Sequence, residues 1–272
     1  MSVYPIQANF LRNVEIKEVL RESPLIKTFL FEDKLCTKSV PGQFVMVWLP
    51  RFDEIPMSIS STYPPLASIT VSKVGKATRL LHKKRSRDTI GIRGPFGNSF
   101  KPVKGKVLLI SGGTGIAPLA FLAERLVEAE ITFLCGAKTK NELIWLSKIK
   151  KLVSKSHGRL ISSTEDGSHG HKGVVTELAD EILATEKFNT IYACGKELMI
   201  LKIFNYAKEY KIPLQASLER LMRCAIGVCG SCTIGKYRVC VDGPIFTSEQ
   251  LCEVEEEFGK FKRGFDGRHL QI

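Results

Sequence analysis

Four of the chain's eight cysteines lie close together: three in Cys224-Ala225-Ile226-Gly227-Val228-Cys229-Gly230-Ser231-Cys232, and a fourth in Arg238-Val239-Cys240-Val241-Asp242-Gly243. C-x4-C-x2-C with a remote fourth cysteine is a spacing under which a loop wraps a [2Fe–2S] cluster. Gly227 and Gly230 suit such a wrap, because a tightly turning chain needs positive φ and close backbone approach, which lets amide N–H groups point at the sulfurs. Ala225, Ile226 and Val228 are expected to form an apolar rim. A structural zinc site is the competing reading, although zinc ligands usually arrive as two separated pairs. Three ligands in one loop and one at a distance favour the cluster, and with it one-electron transfer. Thr233 to Val239 read as strand, tight turn at Gly235-Lys236 and strand, so the fourth ligand returns on a hairpin.

This region is too small to be the whole protein: 272 residues with 44% hydrophobic composition can form two or three domains. No apolar run of about 18 residues suggests a membrane span. Met1-Ser2-Val3-Tyr4-Pro5 lacks the basic and apolar pattern of a signal peptide. Cys36, Cys135, Cys194 and Cys252 show no pairing spacing, as in a reducing compartment, so a cytoplasmic location is expected. The formal charge of +12 raises nucleic acid as a partner. The basic residues are scattered without interleaved aromatics, however, and a solvated surface or a face for an acidic protein partner is expected instead.

From Asn13 to about Arg93 the chain reads as six or so short strands broken by Pro and Gly, which suggests a small antiparallel barrel. Val14 to Val19 alternate, Ile26 to Phe31 nearly do, and Phe44 to Leu49 form a buried-type run after the Pro41-Gly42 turn. Val71 to Leu81 read as a strand turning into a short helix, which offers amides near Ala77 and Thr78 to a phosphate.

At Val107-Leu108-Leu109-Ile110 the texture changes to a buried parallel strand. It runs into Ser111-Gly112-Gly113-Thr114-Gly115-Ile116-Ala117-Pro118 and then a helical pattern. Strand, glycine loop and helix together make a pyrophosphate site credible. Further strands at Ile131 to Cys135, Leu160 to Ser163 and Thr190 to Cys194 give a doubly wound parallel sheet with its ligand at the strands' carboxyl ends. Gly112 to Gly115, Thr164 to Gly167 and Cys194-Gly195 should converge there. Cys194 is a candidate nicotinamide contact or a small buried residue. His157, His169 and His171 have no metal-site spacing and read as surface histidines.

A nicotinamide exchanges two electrons as hydride and the cluster carries one, so a flavin is needed between them, and the barrel is its natural holder. On these motifs the chain resembles the ferredoxin-reductase superfamily, and within it the electron-transfer subunits of B-type dihydroorotate dehydrogenase. The most specific stretches are Ser217 to Cys224 leading into the cluster loop and Arg238 to Phe246 closing it. Gly94-Pro95-Phe96-Gly97-Asn98, the glycine loop and Ala193-Cys194-Gly195 are shared more widely.

The resemblance implies three domains: an FAD-binding β-barrel over residues 1–102, an NAD-binding α/β domain over 103–215, and a [2Fe–2S] domain over 216–272. It implies FAD contacts at Pro56, Met57, Ser58, Ile59, Val71, Ser72, Lys73, Ala77 and Thr78. NAD contacts fall at Gly112, Gly113, Thr114, Gly115, Cys194 and Gly195, and cluster ligation at Cys224, Cys229, Cys232 and Cys240. The implied partner is an FMN-containing catalytic subunit that oxidises dihydroorotate in pyrimidine synthesis, two of each subunit forming a heterotetramer. Neither nucleic acid nor a membrane is expected as a partner.

Three departures from the family pattern stand out. Ile55-Pro56-Met57-Ser58 replaces an Arg-Pro-x-Ser motif whose Arg pairs with the FAD pyrophosphate, leaving Arg51, Arg79 or Arg93 to compensate. Ala77-Thr78 replaces Gly-Thr, and Ala225 replaces a glycine, a change tolerated at negative φ. Lys138 and Lys140 suit a 2′-phosphate whereas Glu142 opposes one, so NAD and NADP both stay open. Two other readings also stay open: an NAD(P)H-reacting subunit of a hydrogenase or ferredoxin oxidoreductase, and a non-enzymatic iron–sulfur or zinc module.

Overall fold

The computed structural model describes residues 6–272. The absence of a leader pattern in Met1 to Pro5 concerns residues outside that range. The barrel consists of β1 (Arg12–Arg21), β2 (Ile26–Glu32), β3 (Phe44–Leu49), β4 (Asp53–Tyr63), β5 (Leu66–Ser72), a short helix α1 (Lys76–Leu81) and β6 (Thr89–Phe96). The strands close in the order β1-β2-β5-β4-β3-β6, every pair antiparallel. Alternation does the sorting: Val14 and Ile16 of β1 point inward between exposed Glu15 and Lys17. They join Phe29, Phe31, Val45, Val47, Ile59 and Ile69 in the barrel core.

The second layer system runs β7 (Gly105–Gly112), α2 (Ile116–Ala123), β8 (Ala129–Ala137), α3 (Leu146–Ser154), β9 (Arg159–Thr164), β10 (His171–Lys172), α4 (Val175–Thr185), β11 (Thr190–Cys194), α5 (Glu197–Glu209) and β12 (Leu214–Ser217). The remainder is β13 (Thr233–Ile234), β14 (Tyr237–Arg238), α6 (Val239–Asp242), β15 (Ile245–Thr247), α7 (Ser248–Cys252), β16 (Phe261–Arg263) and β17 (His269–Gln271). The main sheet has the order β10-β9-β8-β7-β11-β12-β15, parallel except for β15. Its order reverses at β7, where a doubly wound sheet opens its ligand crevice. No helix among the described residues is long and apolar enough to cross a membrane.

Two features lock the layers together. Every residue of α2 is buried, so it has no solvent face, and its Phe121 inserts into the barrel core while Leu119 and Leu122 pack on the sheet. The position 215/216 lies inside β12, which pairs with β15 through Ala216↔Phe246 and Ser217↔Ile245. Asn98, leaving the barrel, donates to the carbonyls of Asp242 (3.0 Å) and Ile245 (2.8 Å) and accepts from the Ile245 amide (2.9 Å). One side chain therefore caps the strand that joins the cysteine segment to the sheet.

Candidate functional site

A cavity of about 860 Å3 opens between the barrel and the carboxyl end of the sheet. That is the size at which sites for small molecules and cofactors are usually found. Pro56, Met57, Ser58, Ser72, Lys73 and Thr78 line its barrel wall; Gly112, Gly113, Thr114, Gly115, Cys194 and Gly195 line the opposite one. The expected contacts Ile59 and Val71 lie elsewhere, with side chains in the barrel core at 0% and 1% exposure, and Ala77 packs against the same core. For Val71 strand alternation explains this, because its β5 neighbours Thr70 and Ser72 face the cavity and Val71 points to the other face.

The glycine loop divides its tasks. Gly113 has φ +55°, and a Cβ there would meet nothing within 4 Å, so this backbone is open to a ligand. Gly115 is required for the opposite reason: its Cβ would lie 2.1 Å from the carbonyl oxygen of Cys194. The helix α2 can approach β11 only without a side chain at that position. On the barrel side, the Thr78 hydroxyl accepts from the amides of Val74 (3.0 Å) and Gly75 (2.9 Å), tying the start of α1 to the strand before it.

None of Arg51, Arg79 and Arg93 lines the cavity. Arg79 bonds the Val74 carbonyl at 3.4 Å, and Arg93 is engaged with Glu54. Ile55 is partly buried against the barrel core. The cation on the barrel wall is Lys73, a point charge where a guanidinium would give a bidentate fork. The wall thus suits an anionic ligand with fewer directed contacts.

The segment after β12 was legible as a motif but not as a cavity wall. Ser217, Leu218, Glu219, Arg220 and Met222 all line the cavity. Arg220 pairs with Glu197, both side chains nearly fully buried, and Glu197 Oε1 also accepts the Gly259 amide at 2.9 Å. This pins the segment to α5 and to the C-terminal region. Glu219 is solvent-exposed at the cavity, where partial desolvation raises its pKa, with Lys262 opposing and Glu197 adding to the rise. Cys194 is pushed up to about 12 by burial and then by Glu219, against a hydrogen bond to Ser217. It therefore presents a neutral thiol to the cavity.

The cysteine loop begins two residues after Met222. Gly227 and Gly230 have φ +80° and +70°, the left-handed geometry expected of them. Ala225 also has positive φ, +61°, contrary to the condition under which it would be tolerated, and its methyl is fully buried. The rim is accordingly formed by Ile226 and Val228 alone, at 39% and 78% exposure. The amides of Val228 (3.4 Å) and Cys229 (3.5 Å) point at Cys224 Sγ, and that of Cys240 at Cys232 Sγ (3.4 Å). The hairpin forms as β13 and β14 and delivers Cys240 on α6.

Among the described residues, no three ligands converge on one ion position. The thiols are held instead as two neighbouring pairs, Cys224 with Cys229 and Cys232 with Cys240. Burial opposes ionisation of Cys229, but hydrogen bonds to Ser231 and Cys224 bring it down to about 6. Cys232 is brought to about 7, chiefly by its hydrogen bond with Cys240, whose own pKa is raised by that bond and by burial. Two thiol pairs suit a binuclear centre, in which each iron takes two thiolates, and sulfur-directed amides suit its charge.

A barrel and a doubly wound sheet enclosing one cavity, with a cysteine loop at its edge, define an oxidoreductase of the ferredoxin-reductase-like class. The model for the iron–sulfur cluster binding domain of dihydroorotate dehydrogenase B matches residues 219–252, and that for the oxidoreductase NAD-binding domain matches 109–203. The chain belongs to the family of dihydroorotate dehydrogenase B electron transfer subunits. It is 42% identical to the probable NAD(+)-type subunit of Methanocaldococcus jannaschii, covering 94% of this chain and 96% of that one. With that of Pyrococcus horikoshii it is 43% identical, covering 95% and 98%. Among solved structures, an NADH-dependent reduced ferredoxin-NADP oxidoreductase described for flavin-based electron bifurcation superimposes with TM-score 0.80 at 32% identity, covering 95% of each chain. A ferredoxin NADP+ reductase from Neisseria gonorrhoeae shares the fold at TM-score 0.64 and 18% identity, covering 74% of this chain and 91% of that one.

Proposed function

We propose that this chain carries electrons from a separate FMN-containing dihydroorotate-oxidising subunit to NAD+. In this reading Cys224, Cys229, Cys232 and Cys240 hold a [2Fe–2S] cluster, Lys73 with Pro56, Met57, Ser58, Ser72 and Thr78 holds FAD, and Gly112 to Gly115 with Cys194 and Gly195 receives NAD. A flavin bound between the other two groups supplies the change from one-electron to two-electron transfer.

The observation that carries the reading is the run from Ser217 to Cys224. Met222 lines the cavity, and Cys224 follows within about 7 Å of chain. The buried Arg220–Glu197 pair fixes this short connection. The neutral Cys194 thiol leaves the nicotinamide end of the cavity without added charge. At the outer end, Ile226 and Val228 are exposed, and Phe265, also exposed, bonds Arg223 through its carbonyl. This apolar rim beside a basic residue is a surface that a partner subunit can cover, and the family pattern gives two subunits of each kind in a cytoplasmic complex.

The test is co-purification with a dihydroorotate-oxidising flavoprotein, followed by an absorption spectrum, the mass of the complex and dihydroorotate-dependent NAD+ reduction. Flavin and cluster bands, a two-plus-two mass and NADH formation dependent on this chain are expected. No complex, or equal NADH formation by the catalytic subunit alone, would overturn the proposal. The 32% identity to the ferredoxin-NADP oxidoreductase chain favours one other reading, a reductase serving a different client. Reduction of ferredoxin by NADH, with no response to dihydroorotate, is the result that would select it.

A further inference from the structure

Arg93 and Glu54 lie outside every motif used above, on two barrel strands separated by β3. Their ion pair is bidentate: Arg93 Nε donates to Glu54 Oε1 at 2.8 Å and Nη2 to Oε2 at 2.6 Å. Both side chains are largely sheltered, at 15% and 22% exposure. The remaining amine, Nη1, donates to the carbonyl of Cys224 at 3.2 Å and to Asn9 Oδ1 at 2.6 Å. A barrel cation is thereby fixed against the backbone of the first cysteine of the loop, with its counter-charge on the far side.

We infer that Arg93 and Glu54 set the reduction potential of the centre held by the cysteine loop, acting from the barrel as a charge pair turned positive side inward. The inference rests on the reading that Cys224 is a ligand of an iron–sulfur cluster. The physical basis is that cluster potentials respond to nearby net charge, hydrogen bonding and solvent exposure. Reduction adds one negative charge, which the closer guanidinium favours and the farther carboxylate opposes. A fork holding both Glu54 and the carbonyl cannot drift away from the loop as a lone lysine could. Arg93 is a positioning residue in this scheme, since it touches a ligand's backbone and not the reacting atoms.

The two members of the pair make opposite predictions, which a purely structural role does not. Arg93→Gln should move the cluster midpoint to a more negative value, because a cation is lost and Glu54 is left uncompensated. Glu54→Gln should move it to a more positive value, because the guanidinium keeps its place without its counter-charge. The measurement is a redox titration of the purified holoprotein followed by electron paramagnetic resonance, with iron and sulfide content determined in parallel. Opposite shifts support the inference; shifts of one sign, or none in either variant, overturn it. Should Arg93→Gln fail to assemble the centre, Glu54→Gln decides alone: a positive shift supports and an unchanged midpoint overturns. Wild-type protein without iron and sulfide would refute the cluster reading itself, and the inference with it, whereas a loaded wild type with unmoved variants refutes only the inference.

Discussion

In the proposed function the cysteine loop and the barrel wall of the cavity each grip a redox group, and they are built in opposite ways. The loop gathers its sulfurs from Cys224, Cys229, Cys232 and Cys240, close in sequence and fixed in spacing. The barrel wall gathers Met57 from β4, Thr70 and Ser72 from β5 and Ile26 from β2, segments brought together by strand pairing. Direct ligation fixes residue type and interval, so its pattern survives in sequence. A wall that grips by shape and a single cation fixes neither, and it absorbs Ile55 where the resemblance implied arginine.

The sharpest break between the two is Cys240→Ser. Loss of one of four ligands should remove most bound iron and sulfide while the nucleotide domain stays folded, as measured by metal analysis beside a melting curve. Unchanged iron and sulfide would refute the ligand assignment. On the cavity side, Gly115→Ala puts a methyl against the Cys194 carbonyl and should cost about 3 kcal/mol of stability, with NAD binding lost. Gly113→Ala makes the useful contrast, since it meets open space and should cost only about 1 kcal/mol, for its left-handed backbone.

Lys73→Ala tests the dispersed grip. FAD affinity should fall about tenfold, or about 1.4 kcal/mol, with the apoprotein melt unmoved. A drop of several hundredfold would show a concentrated grip after all. The smallest effect belongs to Ala225→Gly. Relief of a left-handed alanine returns about 1–2 kcal/mol and deletion of a buried methyl removes about 0.8, so a net gain of about 0.2–1.2 kcal/mol is expected in denaturant unfolding. Net destabilisation would mean that the methyl's packing outweighs the strain.

Those contrasts explain what was legible in the sequence. Alternating Val14 and Ile16, the apolar Val107 to Ile110 run and the Gly235-Lys236 turn announced barrel, sheet and hairpin, because each is a local periodicity or turn preference. The role of Arg93 was hidden, since its partners Glu54 and Cys224 are 39 and 131 positions away. Glu219 sat in a recognised motif, yet its place on the cavity wall depends on β12 running beside β11. Residue type alone leaves the φ of Ala225 conditional, and the loop's curvature sets it positive.

The β12–β15 pairing has a consequence for anyone who would trim or transplant this protein. A chain ending after Ser217 would expose the backbone donors and acceptors of β12 along a bare sheet edge, a template for aggregation. The cysteine segment is therefore no detachable cartridge. It is the hem of the nucleotide-binding sheet, and a graft that carries it into another reductase must bring an edge strand able to receive it.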